Sequence, residues 1–134
     1  RQELRKKLLV YAETEDEVDE LLIKLEKQSW LSDERYAEGL ARRKSDRYGS
    51  LKIVDELKQQ SINPHTVSKI KEELRQSDLE RAWTLWDRKF SSLVATEPKE
   101  RAKQMRYLVA KGFPLDVVSK VVSGRFTPNQ ESVI

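Results

Sequence analysis

Residues 51–74, LKIVDELKQQSINPHTVSKIKEEL, decide the fold class, because they contain two apolar stripes at helical spacing with a helix start between them. Apolar side chains that recur every three or four residues are typical of amphipathic helices. Asn63-Pro64 combines a favoured N-cap residue with a proline at the first helical position, so the second helix is predicted to begin there. The stripe residues are Leu51, Val54 and Leu57 in the first helix and Val67, Ile70 and Leu74 in the second.

The same pattern recurs along the chain. A shift of 49 residues places Leu8 on Leu57 and Val18 on Val67, and a shift of 51 places Leu57 on Leu108 and Val67 on Val118. In the preceding helix, a shift of 45 places Ala37 on Ala82 and Leu40 on Leu85, which leaves extra residues in the loop Ser92–Thr96. Repeated units that contact mainly their neighbours form quasi-linear arrays. We therefore predict an all-α fold of tandem three-helix modules in an elongated, curved array, with the first module lacking its opening helix.

Helix starts and stops divide the chain into eight predicted helices without a sheet. Capping boxes are predicted at Thr14–Glu17 and Ser77–Glu80, and Ser32 is predicted to cap a further helix. Gly49-Ser50, Glu97-Pro98 and Pro114 mark other starts, and Gly112 marks a stop. The predicted domains are a partial first module at 1–30, a second at 31–76, a third at 77–122 and a flexible tail at 123–134.

Composition excludes several classes of function. Cysteine is absent and His65 is the single histidine, so disulfides, thiol catalysis and cysteine- or histidine-rich metal sites are excluded. The four glycines stand apart from one another, so neither a P-loop nor a dinucleotide-binding turn can form. His65 follows a proline in the first turn of a predicted helix, where a surface role is favoured over catalysis. We expect no cofactor, no metal and no enzymatic activity.

The apolar runs are short. The longest, residues 8–12, is far below the length that crosses a membrane, and we expect no secretory signal. We therefore expect a cytoplasmic protein with no membrane partner. The first residue is Arg1 rather than Met, so we expect the natural chain to begin earlier.

Charge is unevenly distributed, although the net charge is only +3. Residues 11–26 hold seven acids against one base, whereas residues 81–111 hold eight bases against three acids and residues 41–58 hold six bases against three acids. A chain with an acidic end and a basic remainder suits a partner that carries both signs, such as a protein lying on nucleic acid. The alternative is a solvated helical surface, which is favoured for charge runs taken alone.

The aromatic residues fall into two groups. Trp83 and Trp86 share a stripe with apolar neighbours at helical spacing, so a place in the core is favoured over a platform that stacks unpaired bases. Tyr48 and Tyr107 lie beside basic residues and are the better candidates for exposure.

One set of motifs resembles a known family. Residues 31–37, LSDERYA, followed by Arg42-Arg43, Tyr48-Gly49, Ile53, Glu56-Leu57 and Ile62, resemble the signature of RecX regulatory proteins. Residues 106–113, RYLVAKGF, are similar to that family's third module, and residues 1–8, RQELRKKL, to its first. The resemblance extends to about Phe126 and depends on the order and spacing of the motifs. The chain departs from the family pattern at Ser32-Asp33, where two adjacent acids are usual, and at Gln60-Ser61, where Lys-Gly is usual.

The resemblance implies tandem three-helix modules and a role in modulating RecA, the recombinase that polymerises on single-stranded DNA. Family members are described as lying in the groove of the RecA filament, where they suppress ATP hydrolysis and strand exchange or limit filament growth. The implied partner is the RecA filament, with single-stranded DNA contacted directly or through RecA. The residues carried over as contacts are the basic helix and Tyr-Gly turn of the middle module and the basic helix of the third: Arg42, Arg43, Lys44, Arg47, Tyr48, Lys52, Arg101, Lys103, Arg106 and Lys111.

Two rival functions remain open at this point. A three-helix unit can place a recognition helix in the major groove, so an autonomous DNA-binding protein is one rival. A helical scaffold that binds only protein is the other. Within the basic segment, Arg43 and Arg47 are expected to lie four residues apart on one face of a single helix. We expect a monomer.

Overall fold

The computed structural model describes residues 15–128 of the chain. Within these residues the chain forms five helices and no strand, so the all-α class predicted from the sequence is confirmed. The helices are α1 (Glu15–Lys44), α2 (Ser50–Gln59), α3 (Pro64–Phe90), α4 (Pro98–Ala110) and α5 (Leu115–Val122). The chain divides into two compact units, Arg1–Tyr36 and Ala37–Ile134.

The first unit contributes the opening part of α1 to the described residues. Val18 and Leu22 are buried there, at the helical spacing that the sequence predicts. The predicted cap at Thr14 and the alignment of Leu8 with Leu57 lie outside the described residues.

Two of the predicted helix starts are wrong, because α1 and α3 continue through them. Ser32 lies inside α1, and residues 77–80 lie inside α3. No proline interrupts residues 15–44, and α3 has neither glycine nor a proline after its first residue, so no residue with strong helix-breaking chemistry stops either helix. In the described residues, α1 and α3 therefore each extend across a predicted boundary between two modules.

The second module is the three-helix core formed by the end of α1, by α2 and by the first half of α3. Its buried side chains come from all three segments and include every predicted stripe residue except Leu51, which is exposed while Ile53 is buried. Asn63 caps α3 by accepting a hydrogen bond from the amide of Thr66 at 2.9 Å, and Pro64 is the first helical residue. The buried residues are Ala37, Leu40, Ile53, Val54, Leu57, Val67, Ile70 and Leu74.

The third module repeats this arrangement with the second half of α3, with α4 and with α5. Leu57 and Leu108 are both fully buried at the same place in their three-helix units, and Val67 and Val118 are likewise buried at equivalent places. The repeat extends to the backbone, since Ile62 donates to the carbonyl of Leu57 and Phe113 donates to that of Leu108. The predicted repeat at an offset of 51 is confirmed for these two modules. The buried residues of the third are Ala82, Leu85, Trp86, Leu108, Phe113, Val117, Val118, Val121 and Val122.

One buried position breaks the apolar pattern of the repeat. Gln104 occupies the place of Ile53 and is only 2% exposed. Its side-chain oxygen accepts a hydrogen bond from Trp86 Nε1 at 2.9 Å, and its amide nitrogen donates to the carbonyl of Leu93 at 2.9 Å. Gln104 thereby connects the core to the loop between α3 and α4. After α5, Phe126 packs against the same core.

Candidate nucleic-acid interface

The candidate site lies where two turns meet, one from each module. The amide of Gly49 donates to the carbonyl of Lys111 at 2.8 Å, and the amide of Leu51 donates to the carbonyl of Gly112 at 2.9 Å. A β-carbon on Gly49 would lie 2.4 Å from the carbonyl oxygen of Gly112, which no side chain tolerates. Gly112 also has φ +98°, a conformation that favours glycine. Glycine at both positions therefore lets the two backbones touch.

A buried carboxylate fixes the same junction from α3. Asp78 is fully buried and takes the place of an N-cap side chain for α2, because Gly49 has none. Its Oδ1 accepts from the amide of Ser50 at 3.1 Å, and its Oδ2 accepts from the hydroxyl of Ser50 at 2.5 Å. The predicted capping box at 77–80 thus contains a cap, but it caps the helix of the neighbouring module.

Arg81 completes this arrangement and holds the turn that follows α1. Its Nη1 donates to the carbonyl oxygens of Ser45 at 2.8 Å and Tyr48 at 2.6 Å. Its Nη2 donates to Asp78 Oδ1 at 2.5 Å and to the carbonyl of Leu74 at 3.0 Å. One guanidinium therefore sets the path of residues 45–48, since their carbonyl groups have fixed donors.

The Asp78–Arg81 pair is costly to bury. Burial raises the pKa of Asp78, although the hydrogen bonds from Ser50 and the charge of Arg81 act in the opposite direction. Burial likewise lowers the pKa of Arg81, against the attraction of Asp78. Removal of one partner alone would leave an uncompensated charge in the junction.

The ring of Tyr48 lies on this turn and is surrounded by cations from both modules. Lys52 Nζ lies 4.6 Å from the ring centroid, and Lys111 Nζ lies 5.6 Å from it. Lys44 Nζ and Arg47 Cζ each lie 5.8 Å from it. These distances are within the range of cation–π attraction, which favours cations over the faces of aromatic rings. The ring therefore collects four positive charges within a small area.

A second ring extends the basic surface onto α4. Tyr107 has Lys89 Nζ at 5.8 Å and Lys111 Nζ at 5.5 Å from its centroid, so Lys111 is shared between both tyrosines. Phe90 meets Tyr107 edge to face, with centroids 5.5 Å apart. We call the resulting set of side chains the Tyr48 cluster; its members are Lys44, Arg47, Tyr48, Lys52, Lys89, Tyr107 and Lys111.

Two acids temper the charge of the Tyr48 cluster without cancelling it. Glu56 accepts from Lys44 Nζ at 2.7 Å, and Asp46 lies 3.9 Å from Arg47. Lys52, Lys89 and Lys111 carry the remaining charge next to the two rings. An arrangement of this kind can bind an anion with several oxygens, because ammonium and guanidinium groups donate in many directions.

The structure brings together only some of the site residues that the sequence predicts. Lys44, Arg47, Tyr48, Lys52 and Lys111 meet in the Tyr48 cluster. Arg42 and Arg43 lie exposed in the last turn of α1. The remaining three lie exposed on α4 outside the cluster: Arg101, Lys103 and Arg106.

The expectation that Arg43 and Arg47 share one helix face is wrong. α1 ends at Lys44, and Arg47 lies in the turn beyond it. In this turn Arg81 binds the carbonyl of Ser45 and the guanidinium of Arg47 lies over the ring of Tyr48, whereas Arg43 stays on the helix.

Comparison with known proteins matches both modules. A model of the third three-helix domain of RecX matches residues 76–122, and a model of the second matches residues 32–69. The regulatory protein RecX of Ralstonia pickettii is 41% identical over 124 residues, which cover 92% of this chain and 77% of that protein. The chain belongs to the RecX family.

Other RecX proteins are similar over nearly as much of the chain. The regulatory protein RecX of Herminiimonas arsenicoxydans is 41% identical over 113 residues, covering 84% of this chain and 74% of that protein. That of Chromobacterium violaceum is 38% identical over 125 residues, covering 92% and 80%. No solved structure matches this RecX chain.

Sequence reasoning missed two side chains of the candidate site. Lys89 joins the Tyr48 cluster through Tyr107, and Arg81 holds the turn beneath Tyr48. Lys89 could have been identified because it directly precedes Phe90, a residue of the apolar stripe of α3 that packs on α4. No signal in the sequence marks the contact of Arg81 with this turn, because Tyr48 and Ser45 lie 33 and 36 residues away.

Other chemistry is sparse in residues 15–128. Among them no three histidine, cysteine or acidic side chains are grouped as a metal site would require. His65 is exposed in the first turn of α3. Across that same range, none of the helices combines the length and apolar character needed to span a membrane.

Proposed function

We propose that this RecX protein binds the RecA filament on single-stranded DNA through the Tyr48 cluster, and that it lowers ATP hydrolysis, strand exchange or filament growth. The observation that carries the proposal is the set of cations gathered around Tyr48 and Tyr107 by the junction of two modules. Phosphate groups are the natural ligands of such a set, because every base that neutralises a phosphate releases a counterion.

The spread of the cations favours a short stretch of nucleic-acid backbone as the ligand over one isolated anion. Four cations lie within 6 Å of the centroid of Tyr48, and Lys111 extends the surface to Tyr107. Tyrosine rings beside lysine and arginine side chains also suit unpaired nucleotides, whose nucleobases stack on aromatic faces. The exposed bases Arg42 and Arg43 on α1, and Arg101, Lys103 and Arg106 on α4, are proposed to add a more diffuse attraction.

The protein is proposed to regulate without catalysing a reaction of its own, and to act in the cytoplasm as a monomer. Residues 31–76 and 77–122 are proposed as the working modules, with residues 1–30 as a partial module and 123–134 as the tail. The family's regulatory naming supports this reading, since the relatives are named regulatory proteins.

The test is the ATPase activity of RecA on single-stranded DNA, titrated with the wild type and with two charge variants. Arg47→Gln/Lys52→Gln removes two cations from the Tyr48 cluster. Lys58→Gln/Lys120→Gln removes two exposed cations elsewhere and is the matched control. We expect the wild type and the control to inhibit equally, and the cluster variant to need roughly tenfold more protein, which corresponds to about 1.4 kcal/mol.

Salt dependence identifies the ligand of the cluster. If phosphates are bound, the slope of log affinity against log salt falls by roughly 0.7 for each contact removed on a single strand. If protein carboxylates are bound instead, the bare strand binds poorly from the start and only the coated strand responds to the variant. Unchanged ATPase activity at saturating wild-type protein contradicts the proposed function.

A further inference from the structure

An exposed apolar groove lies beside the Tyr48 cluster, at the same junction of the two modules. It has a volume of about 480 Å³ and is lined by side chains from α2, α4 and α5. Leu51 is 49% exposed, Val109 44% and Leu115 68%. Three large aliphatic side chains from three helices thus converge in one concave surface, which is more than the scattered exposed leucines of an ordinary surface.

The groove is continuous with the basic surface. Lys52 lines the groove, and its ammonium lies 4.6 Å from the centroid of Tyr48. Gly112 lines it too, and follows Lys111, whose ammonium lies over both tyrosines. When the Tyr48 cluster binds an anion, as proposed, a ligand in the groove therefore lies directly next to that negative charge.

The lining decides which kind of molecule fits. Nucleotide bases are held by aromatic faces, whereas the exposed large side chains of the groove are aliphatic apart from the charged Lys52 and Asp55. A second copy of this chain is disfavoured, because two grooves placed face to face would bring two Tyr48 clusters together with like charges. An apolar side chain of a different protein, placed next to an anionic strand, satisfies both conditions.

We propose that the groove formed by Leu51, Val109 and Leu115 receives an apolar side chain of a recombinase protomer that is already bound to the strand. This inference rests on the proposed function and extends it by assigning a protein contact to a named surface. The cluster then supplies attraction to any strand, and the groove supplies the preference for coated strands over bare ones. Specificity is the difference between the affinity for coated strands and the affinity for bare strands, and only the first of these involves the groove.

The experiment measures the affinity of the protein for bare single strands and for RecA-coated strands in the same salt. Leu51→Ser/Leu115→Ser removes two exposed aliphatic side chains from the first turns of α2 and α5. Leu93→Ser is the control, because Leu93 is 69% exposed, as much as Leu115, and lies on the loop before α4. Thermal unfolding followed by circular dichroism shows that each variant keeps its fold.

We expect the double variant to bind coated strands at least tenfold more weakly and bare strands within twofold of the wild type, while Leu93→Ser changes neither. Equal loss on both strands overturns the inference in favour of bases in the groove. Equal binding of the double variant and the wild type to coated strands overturns it as well. A wild type that forms dimers in sedimentation, and becomes monomeric in the double variant, overturns it in favour of self-association.

The failure of this inference is distinguishable from that of the proposed function. If the wild type binds coated strands and inhibits ATPase activity but the groove variant does the same, only the groove assignment is wrong. If the wild type binds no coated strand at all, the proposed function and the groove assignment are both wrong.

Discussion

At the scale of single residues, the apolar stripes predicted most of the core and none of its polar exceptions. Trp86 was predicted to be buried and is 2% exposed, whereas Trp83, predicted with it, is half-buried. Gln104 and Asp78 are buried although their residue types favour the surface, because Trp86, Ser50 and Arg81 satisfy their hydrogen bonds. Trp86 and Ser50 come from other helices than the residues they bind, and Arg81, although only three residues from Asp78, does not by itself indicate burial, so no local pattern in the sequence predicts these buried polar groups.

Replacement of Trp86 by alanine tests the core of the third module. We expect Trp86→Ala to lower the free energy of unfolding by about 3–5 kcal/mol, because it opens a cavity and leaves the side-chain oxygen of Gln104 without its donor. Trp83→Ala is the comparison, with a smaller loss since Trp83 is only half-buried. Urea denaturation measures both. A change within about 0.5 kcal/mol for Trp86→Ala would mean that the indole is not part of the core.

At the scale of helices, glycine and proline correctly indicated where helices begin and end, whereas small polar residues did not. Asn63-Pro64, Glu97-Pro98 and Gly112 were all placed correctly, since proline fixes φ and removes a donor. Ser32 and residues 77–80 were predicted as helix starts and lie within helices. A capping residue can satisfy a free amide, but it does not by itself stop the preceding helix. Asp78, in the predicted capping box at 77–80, caps α2 instead of starting a new helix.

Two glycine-to-alanine changes with opposite signs test the contact between the turns. Gly112→Ala should destabilise the fold by about 1–3 kcal/mol, because its β-carbon would lie 2.4 Å from that of Lys52 and its φ is +98°. Gly39→Ala should stabilise it by about 0.5–1 kcal/mol, because Gly39 lies inside α1 and faces the flexible end of Arg43 at 3.2 Å. Differential scanning calorimetry compares the two with the wild type. A neutral Gly112→Ala would contradict the close approach of the backbones.

At the scale of the whole second unit, the two modules are expected to unfold together. On the shared helix α3, Asp78 binds the first residue of α2 and Arg81 binds carbonyl groups in the turn before it, so each module contributes to the stability of the other. Neither the shared helix nor this pair was predicted from the sequence. The helix continues because no residue breaks it, and the pair is fixed by contacts with Ser45, Tyr48 and Ser50, which lie more than 25 residues away in the sequence.

Hydrogen exchange at two equivalent amides measures this coupling. The amide of Ile62 binds the carbonyl of Leu57 in one module, and the amide of Phe113 binds that of Leu108 in the other. We expect both amides to exchange with the same free energy of opening, and Arg81→Ala to lower both by a similar amount, about 3–5 kcal/mol. Thr84→Ala, at an exposed site on α3, is the control and should change neither. A loss confined to one amide would show that the modules open independently.

The shared helix α3 also determines where the chain can change length. One residue added between Leu74 and Asp78 would rotate everything after it by about 100° and advance it by about 1.5 Å. Asp78 would then leave Ser50, and Lys111 would leave Tyr48, although every side chain of the junction would still be present. A residue added in the loop 91–97 has no such effect, because a loop absorbs extra length at little cost. Deletions and insertions within α3 are therefore expected to be far more damaging than substitutions there, because the 27 residues of that helix set a fixed spacing of about 40 Å.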